Sequence, residues 1–316
     1  MMTSSLEPRR LYDRRAAQGL DELTPEELGH SVTVVIPAYN EASAIATVVT
    51  ELRQLLPDVD VLVVDDGSQD DTFAAASSTG VKVIKHARNL GYGAALKSGI
   101  RAAQTPFVAM FDADGQHRPE DLADMLQLAP RCDAVIGARI GGSHQVSSRK
   151  PGKWVLAQVA NQLVGQSIPD LNSGLRIIRR NVILRYLHLL PNGFSASTTT
   201  TICLLQRGYE VIFQPIQTRE RVGKSTVKQI RDGFNTVFLM IRLIVLFNPL
   251  RFFLPPAILL VVSGLLYGLS LALIRGRGVP TLALLLVMTG LIATMFGLLA
   301  DQISSLRKEM FEKDRY

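Results

Sequence analysis

The chain is poor in cysteine: Cys132 and Cys203 are the only two among 316 residues. Two thiols do not make a disulfide framework, and so low a count fits a reducing compartment. The first thirty residues are charged and short of aromatic side chains, without the apolar segment that a secretory signal carries. No signal peptide is expected, and residues 1–30 are read as a leader without assigned function. A nucleic-acid-binding motif is also missing, although a net charge of +6 and a pI of about 9.4 would suit one. Basic residues beside apolar segments, together with anionic ligands, account for that charge, so no nucleic-acid partner is expected. No internal repeat of the solenoid kind is present.

Apolar residues, by contrast, are plentiful at 47%, and the excess lies after Asn235. Pro255–Ile274 and Gly278–Ala300 carry no charge. Each has about 20 residues or more, enough for a helix to span a bilayer. Only Arg275-Gly276-Arg277 separates them, so a tight hairpin is predicted, with both ends on one side of the membrane. Lys224, Lys228, Arg231, Arg242 and Arg251 precede the hairpin, and Arg307, Lys308, Lys313 and Arg315 follow it. They outnumber the two turn arginines, which places both flanks in the cytoplasm and the protein, multi-pass, in the inner membrane. Residues 227–250 mix Lys228, Arg231 and Arg242 with Phe234, Val237, Phe238, Met240 and Ile241. That pattern reads as an amphipathic helix in the membrane interface, or else as one packed on the preceding domain. Residues 251–306 then hold the two spanning helices, at about 255–274 and 278–300, and 307–316 form a cytoplasmic tail. Gly264 and Gly268 have small-xxx-small spacing, which offers a face for a homo-oligomer.

Residues 31–226 alternate short β-branched runs with helical patterns. Strands are predicted at Val32–Pro37, Val61–Asp65, Val81–Lys85, Phe107–Phe111 and Asp133–Gly137. Helices are predicted at Ala42–Leu56, Asp71–Ser78, Ala94–Ala103 and Pro119–Leu128. Asn40 is placed to cap the first helix, and Pro119 to open the fourth. Trp154–Val164 reads as a further helix, Asn172–Arg180 as a return to the sheet, and Val211–Pro215 as one more strand. The alternation implies an α/β fold, with a mostly parallel sheet and right-handed crossovers. Ligands of such sheets bind at the carboxyl ends of the strands.

The polar motifs fall at those ends. Phe107–Phe111 runs into Asp112-Ala113-Asp114-Gly115-Gln116-His117-Arg118-Pro119. Two carboxylates at i and i+2 leave a strand end on the same side. They suit a hard divalent cation that also holds substrate phosphates; a polar loop after a strand is the plainer reading. His117 has no Cys or His partner nearby, so a zinc site is not expected. The first strand ends in Pro37-Ala38-Tyr39-Asn40-Glu41, and the second in Asp65-Asp66-Gly67-Ser68. Gly91-Tyr92-Gly93 leads into a helix, whose N-terminus would attract phosphate.

Five segments occur together: VTVVIPAYNE (Val32–Glu41), VLVVDDGSQDDT (Val61–Thr72), RNLGYGAALKSG (Arg88–Gly99), DADGQHRPED (Asp112–Asp121) and NSGLR (Asn172–Arg176). Their order and spacing resemble those of the inverting GT-A glycosyltransferases, and among them the polyprenyl-phosphate enzymes of the dolichol-phosphate mannose synthase type. The resemblance covers Val32 to Ser225. It implies a GT-A sheet with helices on both faces. It also implies that Pro37, Ala38, Tyr39, Glu41, Asp65 and Asp66 meet a nucleotide. Asp66 is favoured for the base, and its neighbour for holding the loop. Asn89, Gly93, Lys97, Asp112 and Ala113 lie near the same ligand; Lys97 either neutralises diphosphate or is solvated on its helix. Asp112, Asp114 and Gln116 would hold Mg²⁺ or Mn²⁺, which oxygen ligands select over zinc. Arg139, Lys153, Arg176 and Arg221 are the cations for an acceptor phosphate, although relatives often carry arginine in place of Lys153. Asp114, Arg139 and Arg221 are the residues expected to matter most for catalysis.

Relatives that glycosylate hydroxyls often carry an acidic base after a segment like Gly193-Phe194-Ser195. Here Ala196-Ser197-Thr198-Thr199-Thr200-Thr201 has no carboxylate. A hydroxyl needs deprotonation to become a nucleophile, whereas a phosphate monoester is already ionised. The single tryptophan, Trp154, excludes the Gln-x-x-Arg-Trp motif of processive synthases. The expected activity is metal-dependent, inverting transfer from a UDP- or GDP-sugar to polyprenyl phosphate. A lipid hydroxyl is the alternative acceptor. A non-catalytic membrane scaffold is the remaining reading, disfavoured by the intact carboxylate set.

Overall fold

Short β-branched runs closed by polar turns set the architecture. The computed structural model describes residues 24–139, 158, 160–161, 164–193, 195–219, 241–242, 245, 249–275 and 279–313. Seven strands form one sheet: β1 (Val32–Ala38), β2 (Asp60–Asp65), β3 (Lys82–Lys85), β4 (Phe107–Met110), β5 (Ala134–Arg139), β6 (Arg176–Arg179) and β7 (Val211–Ile216). Their order is β3-β2-β1-β4-β6-β5-β7. All neighbours are parallel except β6, which runs antiparallel to both β4 and β5. Every residue of β1 is buried, as a central strand covered on both faces requires. Val34 and Ile36 pack in one core with Phe107, Leu122 and Met125. Each such side chain contributes about 1.5–3 kcal/mol when fully buried.

The helices of this unit are α1 (Pro25–His30), α2 (Ile45–Leu55), α3 (Thr72–Ser78), α4 (Tyr92–Ala102), α5 (Pro119–Leu128), α6 (Arg180–Tyr186) and α7 (Ala196–Gln206). Ile45, Val49 and Leu52 of α2 and Leu122 and Met125 of α5 join the core. The strand order reverses at β1, between β2 and β4, so the crevice lies outside the carboxyl ends of β1 and β4.

Most element boundaries agree with the sequence to within two residues, and α5 agrees at both ends. Asn40 is a correction. Helix α2 starts later than predicted, with Ala44 at its cap position and no side-chain cap. Asn40 instead adopts a positive φ of 55°, which short polar side chains tolerate. Its amide donates to Ser68 Oγ at 3.0 Å, and its Oδ1 accepts from Gln69 N at 2.9 Å. It therefore ties the end of β1 to the loop after β2. Helix α7 is an addition, since the Ser/Thr run at 196–201 carries no helical signal. Its residues from Ala196 to Leu204 are all buried. Thr199, Thr200 and Thr201 satisfy their hydroxyls on the carbonyls of Ser195, Ala196 and Ser197.

The chain divides into two units, Met1–Lys150 with Gln166–Val227, and Pro151–Gly165 with Lys228–Tyr316. The main elements of the second unit are α8 (Pro249–Arg275) and α9 (Thr281–Lys313). Pro249–Ile274 and Thr281–Leu306 are each long and apolar enough to cross a membrane. Most of their large apolar side chains face outward. Gly264 and Gly268 correct the expectation of an oligomer face. A Cβ on Gly264 would lie 2.9 Å from the Ala283 carbonyl oxygen, and one on Gly268 would lie 3.2 Å from Ala283 Cβ. Both glycines are used inside the hairpin. The segment 227–250 lies outside the described residues except for 241, 242, 245, 249 and 250, as do Trp154–Val164 except for 158, 160, 161 and 164.

Candidate active site

Beyond β4 the chain leaves the sheet through buried Phe111 and reaches Asp112, whose side chain is 29% exposed. Its Oδ1 accepts from the Tyr92 hydroxyl at 2.9 Å, and its Oδ2 lies 3.2 Å from His117 Nε2. Gly174 packs directly on this carboxylate, so any side chain there would overlap it. Burial raises the pKa of Asp112, but the hydrogen bond and charge of His117, the Tyr92 hydroxyl and the charge of Arg176 outweigh it. The carboxyl is held below its ordinary range. Tyr92 moves the other way: burial, then the charge of Asp112, push its phenol well above the ordinary value, so it stays a donor. Asp114 is buried, and its Oδ1 accepts from Gln116 N at 3.2 Å across Gly115. The Gln116 carbonyl accepts from Arg219 N at 2.9 Å, so the chain leaving β7 runs along the same loop.

No three His, Cys, Asp or Glu side chains converge on one point among the described residues. A cation here would have two carboxylates and neutral oxygens from the protein, and would take its remaining ligands from a bound phosphate. That donor set fits Mg²⁺ or Mn²⁺. His117 sits edge-on to Phe111, with ring centroids 5.7 Å apart, and serves Asp112.

At the end of β2, Asp66, the residue favoured for the base, is the one that holds the loop. Its Oδ1 lies 2.7 Å from His86 Nδ1 and accepts from Leu90 N, and its Oδ2 accepts from Gly91 N at 2.7 Å. Asp65 gives Oδ1 to Ser68 N at 3.0 Å, while its Oδ2 is buried without a partner. Both carboxylates are buried, and Asp66 is taken up with the loop. Pro37 and Ala38 are buried beside them, Tyr39 and Glu41 are half-buried, and Asn89 is exposed. Glu41 N donates to Thr72 Oγ1 at 2.9 Å.

The N-terminus of α4 is not open to phosphate, which is a second correction. The Asn192 carbonyl accepts from Gly93 N at 2.7 Å and from Ala94 N at 3.2 Å. A Cβ on Gly93 would overlap the Pro191 carbonyl. Lys97, half-buried, donates from Nζ to the Leu190 carbonyl at 3.2 Å and to Asn192 Oδ1.

On the other side of Asp112, Arg139 is the last residue of β5. Its Nε and Nη2 reach Asp170 Oδ2 and Oδ1 at 2.6 and 2.9 Å. This two-point pair raises the pKa of Arg139. Burial raises that of Asp170, but the hydrogen bond and charge of Arg139 override it and hold the carboxyl low. Asp170 escaped the sequence reading, although it stands two residues before the NSGLR run. Arg176 is corrected outright: fully buried, it cannot meet a lipid head group. Its Nη1 donates to the Ser197 carbonyl at 2.9 Å and to Thr201 Oγ1 at 3.3 Å, and its Nη2 donates to the Ser173 carbonyl. Lys153 and Arg221 lie outside the described residues. The structure thus gathers Asp112, Tyr92, His117 and Gly174 at one point, and ties Arg139 to the turn that Gly174 closes.

Residues 33–187 match the family described as Glycosyl transferase family 2, and residues 248–306 match the GtrB C-terminal hairpin. The polyprenol monophosphomannose synthase of Mycolicibacterium smegmatis is 30% identical over 241 residues, which cover 70% of this chain and 90% of that protein. The undecaprenyl-phosphate mannosyltransferase of Micrococcus luteus is 31% identical over 61% of this chain and 86% of its own length. Among solved structures, the glucosyl-3-phosphoglycerate synthase of Mycobacterium tuberculosis in complex with Mn²⁺, UDP and phosphoglyceric acid shares the fold. It has a TM-score of 0.56 at 21% identity, covering 69% of this chain and 82% of that one. The carboxylate pair at the end of β4, the GT-A sheet and these matches agree: the chain belongs to glycosyl transferase family 2, as a glycosyltransferase that carries the GtrB hairpin at its C-terminal end.

Proposed function

We propose that this enzyme transfers a sugar from a UDP- or GDP-sugar to polyprenyl phosphate, with inversion, at the cytoplasmic face of the inner membrane. One observation carries the reading. The carboxylates that begin at Asp112 are linked through Gly174 and Asp170 to Arg139, an arginine fixed by its pair yet 26% exposed. The site thus pairs a place for a diphosphate's counter-ion with a cation suited to a second phosphate. The names of relatives at 30% and 31% identity support the same acceptor class.

The nucleotide lies at the ends of β1 and β2, against Pro37, Ala38, Tyr39, Glu41, Asp65 and Ala113. Mg²⁺ or Mn²⁺, held by Asp112 and Asp114 with Gln116 as a further oxygen, would supply positive charge to the leaving diphosphate. Arg139 and Arg221 orient the acceptor phosphate, whose oxygen attacks the anomeric carbon from the face opposite the nucleotide. Helix α7 supplies no carboxylate, and an ionised phosphate needs none. The apolar hairpin α8–α9 keeps the enzyme at the surface where its lipid substrate resides.

The test uses the full chain in detergent, with Mn²⁺, a short-chain polyprenyl phosphate and labelled UDP- and GDP-sugars. An acid-labile, organic-soluble product from one donor is the expected result. Donor hydrolysis without lipid product would move the acceptor to a hydroxyl.

A further inference from the structure

The turn from Asp170 to Gly174 touches the site at four points. Asp170 holds Arg139, the Asn172 amide oxygen accepts from Thr198 Oγ1, the Ser173 carbonyl accepts from Arg176, and Gly174 lies on the Asp112 carboxylate. Asp170, Leu171, Ser173 and Gly174 are buried; Asn172 alone is exposed. Its backbone amide is engaged by Asp170 Oδ1 at 3.0 Å, and its side-chain oxygen by buried Thr198. A carboxamide carries two N–H donors on its other atom, and among the described residues they have no partner. With the Thr198 hydroxyl donating to Oδ1, the Nδ2 donors of Asn172 are the atoms left at the rim. Arg139 uses two of its five N–H donors on Asp170 and keeps the rest.

We propose that Asn172 is a ligand of the acceptor phosphate, its Nδ2 donating to a phosphate oxygen beside Arg139. The inference rests on the reading of the acceptor given above. A phosphate offers acceptors only, which suits a rim made of an amide N–H pair and a guanidinium edge. A sugar hydroxyl is both donor and acceptor, and would leave its own proton unserved there.

Asn172→Asp is the decisive variant. It keeps the oxygen that Thr198 needs and replaces the two donors by charge of the wrong sign. The acceptor KM should rise about ten-fold or more, the size expected when a hydrogen bond to a charged group is lost. The dissociation constant for the nucleotide sugar should move by less than about two-fold. Asn172→Ala removes the donors without adding charge, and should raise the acceptor KM by a smaller factor; it keeps the test usable if the aspartate variant fails to fold. An unchanged acceptor KM in a folded variant would overturn the proposal, and so would an equal loss of nucleotide-sugar affinity, which would assign the amide to the sugar. If the wild-type enzyme moves no sugar to any polyprenyl phosphate, the functional reading falls and takes this inference with it. If it does so while the Asn172 variants bind acceptor normally, the inference falls alone.

Discussion

Asp112 and Asp114 are separated by one alanine yet meet different surroundings. Asp112 is braced by Tyr92, His117 and Gly174, whereas Asp114 folds back on its own turn at Gln116 N. Asp114→Ala should abolish turnover while leaving the circular dichroism spectrum and unfolding midpoint near wild type; retained activity would sink its assignment to the metal. Tyr92→Phe removes one hydrogen bond to Asp112, worth about 1 kcal/mol. The Mn²⁺ concentration for half-maximal rate should rise about five-fold, which a metal titration would read. Asp170 has a folded pKa below its unfolded value. Its pair with Arg139 therefore contributes fully above the ordinary carboxylate pKa of about 3.9, and the contribution is lost as pH falls through the folded pKa. Asp170→Asn should cost about 3 kcal/mol near neutrality. That gap to wild type should begin to narrow as pH falls below about 4, as urea unfolding across pH would show. None of these partnerships was visible as a motif. Asp112 and Asp114 were legible because two carboxylates ended an apolar strand. Tyr92 and Asp170 were not, because their partners lie 20 and 31 residues away.

At the scale of elements, the strands were the most legible part, since β1, β2 and β4 are buried runs that nothing but a covered sheet accommodates. The helix N-terminus after Gly91 was misread for an instructive reason. Glycines before a helix fit an approaching phosphate and an approaching carbonyl equally well, and here the carbonyls of Pro191 and Asn192 fill the place. Gly93→Ala should therefore act on stability. The added Cβ meets backbone, which cannot rotate away, and a loss of about 2 kcal/mol or more is expected by denaturant titration. A variant that kept full stability but lost nucleotide affinity would restore the phosphate reading. Arg176 was misread in the same way: a cation looks alike in sequence whether it meets a ligand or a buried carbonyl.

For the whole molecule, composition set an apolar C-terminal part, now seen as two long helices, apart from the strand-rich part before it. The hairpin glycines pack α8 on α9, so the pair is a self-sufficient apolar unit. The full chain should sediment with membranes and resist extraction by high salt or carbonate, yielding only to detergent. Release by salt alone would mean that the hairpin does not insert.

Four threonines in succession, Thr198 to Thr201, cost a helix roughly half a kcal/mol each against alanine. Isolated, this stretch would not be helical. It is wound because its carbonyls and hydroxyls find Arg176 in the interior and Asn172 at the rim. The wall behind the turn at Asp170–Gly174 is thus built from a segment with little preference for its own shape. It should be ordered late in folding, and damage to the turn at Asp170–Gly174 would reach it as unwinding rather than as a displaced side chain.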